Sequence, residues 1–130
     1  MKFYIASRFG KAAEVKEMTK KLEEMGHSVT TDWTQHGAIK PYSQNASKAM
    51  LYSIEDVQGV LNSDVFILIT DEGGKGMYVE LGVAIASFIE KKTPRIYIVG
   101  AHNENTIFFF HPSISRKQNM EEVFNDLKYR

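Results

Sequence analysis

Residues whose types could do chemistry gather in one stretch, Asp71-Glu72-Gly73-Gly74-Lys75-Gly76-Met77-Tyr78-Val79-Glu80-Leu81-Gly82-Val83-Ala84. It follows an apolar run, Asp64 to Thr70, and leads into an apolar helical pattern over Met77 to Lys91. A glycine-rich turn between a strand and a helix presents backbone N–H groups at a sheet edge. Gly73, Gly74, Lys75 and Gly76 could there cradle a phosphate or admit a flat ring, or simply form a flexible connection. The frame is neither a Walker loop nor a dinucleotide fingerprint. Glu80 falls near the first turn of the helix, where the positive end of the dipole favours its ionised form. An ionised carboxylate in a cleft is a nucleophile or an electrostatic stabiliser. The plainer alternative is a solvent-facing Glu near a helix start. Gly82 and Ala84 keep the helix slim, and the apolar run Val83 to Ile89 puts Glu80 at the mouth of a packed region.

A second carboxylate, Asp56, lies inside the helical pattern Glu55-Asp56-Val57-Gln58-Gly59-Val60. Asp is a poor helix former, so an interior Asp invites a reason. It could face Glu80 across a cleft, since two carboxylates flanking a glycosidic bond are the usual equipment for glycosyl transfer; surface solvation is the alternative. Ser7 and Arg8, after the first strand, could bind a phosphate or a sugar hydroxyl, or form a turn with an exposed Arg. Trp33, in Asp32-Trp33-Thr34, could stack on a base or fill the core edge.

The elements that must position these residues alternate. Phe3 to Ala6 reads as a buried strand, Ala12 to Met25 as a helix capped by Gly26, and Ser28 to Trp33 as a second strand. Thr34 to Tyr42 is a loop, Ser43 to Leu61 a helix, Val65 to Ile69 the most hydrophobic strand, and Arg95 to Val99 the fourth. Ile107 to Phe110 reads as a short fifth strand and Met120 to Lys128 as a closing helix. This alternation predicts a single α/β domain over 1–130. Its expected form is one doubly wound, flavodoxin-like (Rossmann-like) parallel sheet of about five strands with helices on both faces. Ligands in such a sheet bind beyond the carboxyl ends of the strands, where Ser7 to Gly10, Asp32 to Tyr42, Asp71 to Gly76 with Glu80, and Gly100 to Asn105 would gather.

Composition narrows the function classes. The chain has 130 residues, 43% of them hydrophobic and 25% charged, and a formal net charge of +0. That balance supplies no general pull toward nucleic acid or an anionic membrane, and little protection against self-association. With no cysteine, thiolate catalysis, disulfides and Cys-based metal sites are excluded. The four histidines, His27, His36, His102 and His111, show no ligand spacing, so no metal and no cofactor are expected. No segment approaches the ~20 apolar residues of a membrane span, and the opening apolar run is too short for a signal peptide. A cytoplasmic protein is expected.

Taken together, these residues resemble the nucleoside 2-deoxyribosyltransferase family, in its short bacterial and phage form. Met1 to Ser7 is similar to the family's first strand and turn. Glu55 to Val60, followed by Asn62-Ser63-Asp64 and a strand, is similar to its acidic second helix. Gly76-Met77-Tyr78-Val79-Glu80-Leu81-Gly82-Val83-Ala84 is similar to its nucleophile segment and is the most specific of the three. The resemblance spans about residues 1 to 112. It implies that Glu80 attacks C1′ of a 2′-deoxyribonucleoside through an oxocarbenium-like transition state. A covalent deoxyribosyl-enzyme forms, and a second base or water releases it. Asp56 would match the second-helix aspartate near the base and sugar, and Tyr4 or Tyr78 would orient Glu80. The family's transferases place a base-handling Asp six residues before the nucleophile, where this chain has Gly74; Asp71 or Glu72 is the candidate replacement. Related nucleotide hydrolases carry a small polar residue there and bind a 5′-phosphate, which Lys75, Ser7 and Arg8 could suit. The resemblance also implies a homo-oligomer in which a neighbour's loop completes each site, with Asn103 to Phe110, including Asn105, as that loop.

The expected function is therefore N-glycosyl transfer or hydrolysis on 2′-deoxyribonucleosides or their 5′-monophosphates. Glu80 and Asp56 are the catalytic pair. Ser7, Arg8, Trp33, Asp71, Gly74, Lys75, Gly76 and Asn105 are the substrate-binding set. The alternative is a nucleotide-binding or sensor module without turnover on the same fold.

Overall fold

Three five-residue apolar runs make the centre of the molecule. In the computed structural model, which describes residues 1–128, they are β1 (Lys2–Ala6), β3 (Val65–Ile69) and β4 (Arg95–Val99). Phe3, Tyr4, Ile5, Phe66, Ile67, Leu68, Ile96, Tyr97 and Ile98 are all buried. Continuous burial along a strand, rather than alternation, means that both faces of the sheet are covered. Two short strands, β2 (Ser28–Val29) and β5 (Ile114–Lys117), flank them. All four pairings are parallel and the order is β2-β1-β3-β4-β5. This is the flavodoxin-like doubly wound arrangement that the alternation predicts.

The helices are α1 (Ala12–Glu24), α2 (Ala46–Leu61), α3 (Gly76–Lys91) and α4 (Met120–Lys128). Met18 of α1 lies beside Met120 and Phe124 of α4, while α2 and α3 pack on each other. Gly26 ends α1 with φ +89. Its N–H bonds the Glu23 carbonyl at 3.0 Å, and the His27 N–H bonds the Leu22 carbonyl at 2.9 Å. That pair of bonds satisfies carbonyls the helix leaves open.

Two strand expectations are corrected. The second strand stops at Val29, because the Asp32 side chain accepts from the Thr34 N–H and hydroxyl and turns Trp33–Gln35 into a 3₁₀ turn. Ile107–Phe110 is also a 3₁₀ turn, capped by the Thr106 side chain, and not the fifth strand. The fifth strand is Ile114–Lys117. At the helix after the loop, Tyr42–Gln44 forms a separate 3₁₀ turn, so α2 opens at Ala46 rather than Ser43.

Candidate active site

The β1 and β3 strands end side by side, Ala6 paired with Leu68, and the carboxyl-end loops rise from there. Glu80 is the fifth residue of α3, just past its first turn, which contains no acidic residue. The hydroxyl of Tyr4, buried in β1, donates to Glu80 Oε2. The Tyr4 ring lies nearly parallel to Phe66 of β3, with centroids 5.9 Å apart and an interplanar angle of 5°. Flat packing against a neighbouring strand fixes where the hydroxyl points. Of the two candidate tyrosines, Tyr4 therefore reaches Glu80. Tyr78 instead packs on Phe109, at 6.1 Å and 27°.

The charge state of Glu80 differs from the expectation. Burial of its carboxyl pushes its pKa up to about 8. The helix dipole contributes about 0.3–1 kcal/mol and fades beyond the first turn. Desolvation of a carboxylate outweighs both that and the tyrosine bond. Glu80 in the free protein is mostly neutral at pH 7.

The glycine-rich loop is tied to the first strand's loop. Arg8 Nε bonds Asp71 Oδ2 at 2.7 Å, and Asp71 Oδ1 accepts the Glu72 N–H at 2.6 Å. These bonds, the Arg8 side chain first, hold the Asp71 carboxyl below the usual carboxylate range. The same bonds favour the ionised form of Asp71. The guanidinium also lies over Gly10, where a Cβ would come within 2.3 Å of Arg8 Nη1. Ser7 is buried, and its hydroxyl donates to the Arg8 carbonyl at 2.9 Å. Gly74 has φ +108, and a Cβ there would lie 2.6 Å from Met77 Cε. A side chain at this positive φ would be strained and would have to displace the Met77 side chain. Lys75 and Gly76 open α3, both exposed. The ion pairs among the described residues do not include Lys75.

Asp56 occupies one face of α2 with Tyr52, Glu55 and Gly59, at helical spacings of three and four. Gly59 is what lets this face approach the sheet. A Cβ there would meet Thr31 Oγ1 at 2.2 Å and Tyr4 Cδ2 at 3.0 Å. Tyr4 thus sits beside Gly59 of α2 on one side and bonds Glu80 of α3 at its tip. Asp56 and Glu80 do not bond each other. Burial, with the Glu55 charge adding and the His36 charge opposing, raises the Asp56 pKa to about 6. Its Oδ1 is buried without a hydrogen-bond partner.

The remaining candidates fall less centrally. Trp33 fills the core edge: it is buried, its indole N–H donates to the Ile5 carbonyl at 2.6 Å, and Phe9 packs on it at 6.1 Å. Asn105 is exposed in the β4–β5 connection, whereas Asn103 is buried and bonds the Lys117 carbonyl at 3.2 Å. His36, which spacing did not distinguish, stacks on Tyr52 and approaches Glu55. No group of metal-ligating side chains occurs among the described residues, and none of their helices is long and apolar enough to cross a membrane. Two surface depressions lie away from Glu80, between α1 and α4 and beside Lys117 and Asp126.

Neither a protein-family model nor a curated protein matches the sequence. Among solved structures, the CMP N-glycosidase BcmB of Clostridium botulinum is similar, with a TM-score of 0.58 and 17% identity over 100% of both chains. At that identity the likeness shows the shared fold.

Proposed function

We propose that this chain cleaves or transfers the N-glycosidic bond of 2′-deoxyribonucleosides or their 5′-monophosphates, with Glu80 as nucleophile. The observation that carries the reading is a half-buried carboxyl on the helix that follows β3, bonded by one tyrosine hydroxyl. Its support is the nucleophile-segment resemblance and the fold shared with a structure described as a CMP N-glycosidase.

In the reaction, an ionised Glu80 oxygen bonds C1′ as the C1′–N bond breaks, and the bonding electrons leave with the base. Asp56, near half-protonated at pH 6, supplies the proton that the base takes up. Its Oδ1 is buried and has no hydrogen-bond partner in the free chain. Water or an incoming base nitrogen then attacks C1′ and frees Glu80, and the proton released returns to Asp56. Developing positive charge on the sugar favours ionised Glu80, so substrate itself opposes the burial that keeps the carboxyl neutral. Lys75, Ser7, Gly74 and Gly76 line the strand-to-helix edge where a phosphate or sugar would lie. A second copy of the chain is proposed to cover Asn105 and the exposed Ile107, Phe108 and Phe110, completing the site.

The test is intact mass after incubation with 2′-fluorinated nucleosides and their monophosphates, followed by peptide mapping. A sugar adduct on Glu80, absent in Glu80→Ala, is expected. Folded protein that forms no adduct and releases no base from a purine and pyrimidine panel overturns the reading. Gly74 favours a second reading, since its positive φ strains any side chain placed there: a nucleotide-binding module without turnover. Saturable binding by calorimetry with unchanged ligand would establish that instead.

A further inference from the structure

Between Leu81 and Ile89, α3 carries no charged residue. A helix that is apolar all round is normally covered on every side. One side is covered here: Met77, Leu81, Ala84 and Ser87 are buried. Away from them, Val79, Gly82, Ala86 and Ile89 are exposed, Val79 at 65% and Ile89 at 57%. A Cβ at Gly82 would meet no other part of the chain within 4 Å, so this face is open. The helix packed beside it, α2, leaves Met50, Leu51 and Ile54 each at least half exposed. The 3₁₀ turn Ile107–Phe110 also borders α3, through the stack of Phe109 on Tyr78.

We propose that a second copy of the chain docks on this face, α3 against the partner's α3, antiparallel about a two-fold axis at the level of Ala84. The four exposed positions read large, small, small, large, and they are symmetric about 84: positions 79 and 89 lie equally far from it, as do 82 and 86. In a two-fold contact, if residue i meets j of the partner, then j meets i. The order therefore sets Val79 against the partner's Ile89, and Gly82 against the partner's Ala86. Small residues at the crossing let the two backbones come close, and large ones at both ends fill the space where the helices diverge. A partner of another sequence has no need of that symmetry. Charge agrees. Near a two-fold axis each charge faces its own copy and is repelled, and this stretch has none. At the rims, the exposed Lys75 comes within about one turn of the partner's exposed Glu90, an unlike pair. Area agrees as well. Met50, Leu51, Ile54, Val79 and Ile89 each leave on the order of 100 Å² open, about 500 Å² together, near the upper range for a monomer's largest patch. The half-buried Val57, Leu61 and Val83 and the aromatic turn bring the face to the ~800 Å² per partner of a standard interface. The proposal goes beyond the glycosyl-transfer reading and does not rest on it. It adds that the partner's Ile89 lies against Val79, the residue before Glu80.

The experiment measures assembly of the full chain and reads no activity, so it stands or falls apart from turnover. Sedimentation velocity at micromolar concentration should give twice the 14.8 kDa of one chain. Ala86→Arg sets two guanidinium groups beside the axis and should weaken the dimer at least about a hundredfold, giving a monomer. Its circular dichroism should be unchanged, because Ala86 is exposed. Met25→Arg, at an exposed position closing α1, should leave the dimer intact. The chain has no cysteine, so introduced thiols report on pairing alone. Val79→Cys and Ile89→Cys in one chain should give a covalent dimer on mild oxidation. Either substitution alone should not, because like positions then lie about 15 Å apart along the helices, beyond the reach of a disulfide. A monomeric parent chain, a dimer that survives Ala86→Arg, or a dimer whose paired cysteines stay unlinked overturns the proposal.

Discussion

The Tyr4 hydroxyl on β1 donates to the Glu80 carboxyl on α3, across 76 positions of sequence. Tyr4 is fully buried and packed on Phe66, so the bond joins the rigid centre of the sheet to the residue proposed to do the chemistry. Tyr4→Phe keeps the packing and removes only the donor. Without it the ionised carboxyl loses its hydrogen bond, so the Glu80 pKa should climb above about 8. Base release at pH 7 should fall at least about tenfold, with the rise of activity displaced to higher pH. Stability in urea should drop by about 1 kcal/mol. A pH–rate profile of the variant checks the first outcome and an equilibrium melt the second.

Glu80 should weaken the fold as pH rises. Its pKa is about 8 in the folded chain against an ordinary value of 4.5. Between those limits the unfolded chain has lost the proton that the folded chain keeps. The stability contributed by a protonated Glu80 is thus complete below about 4.5 and disappears as pH climbs toward 8. Glu80→Gln cannot ionise. Its melting temperature relative to the parent should therefore climb from pH 4.5 to 8 and level off above, with a gain on the order of a few kcal/mol at the plateau. Thermal melts of both proteins across that range are the measurement. A constant difference would mean that Glu80 is not desolvated as described.

Gly74→Asp introduces an acid into the glycine-rich loop and should not increase base release. It requires an L-residue at φ +108 and places a Cβ 2.6 Å from Met77 Cε. Strain of about 1–3 kcal/mol should appear in the urea midpoint, and base release should not increase. An increase in turnover with stability unchanged would show that the loop accommodates an acid after all.

Gly59→Ala should disturb both carboxyls from a distance. The added methyl meets Thr31 Oγ1 and Tyr4 Cδ2, so α2 must move off the sheet and Asp56 with it. Overpacking of this kind costs about 1–3 kcal/mol. Removing the obstacle in the double variant Gly59→Ala, Thr31→Ala should recover part of the loss, less the Thr31 hydrogen bond to Glu55. Additive losses in a double-mutant cycle would rule out the contact as the cause.

The central strands and all four helices were legible because their patterns are long and continuous: Val65–Ile69 admits no reading but a buried strand. The edges were not. Asp32 and Thr106 look like ordinary strand-end residues, and only their side-chain bonds to Thr34 and Phe108 reveal the 3₁₀ turns. Ile114–Lys117 carries Ser, Arg and Lys, and an edge strand half open to solvent has little periodic signal. The helices that carry Glu80 and Asp56 followed from spacing. The proton affinities of the two carboxyls did not, because desolvation depends on what packs around a carboxyl and not on its helix position. Nothing in the spacing of His36 relative to Tyr52 and Glu55 announces a loop laid over a helix.

The Arg8–Asp71 bond has a cost at the same edge. A guanidinium already facing a carboxylate presents almost no net charge to an arriving anion, so a phosphorylated ligand would have to displace Asp71 or pass Arg8 by. Selection between a nucleoside and its monophosphate would then rest on Lys75 and the loop amides, and added salt should erode preference for the monophosphate sooner than affinity for the bare sugar.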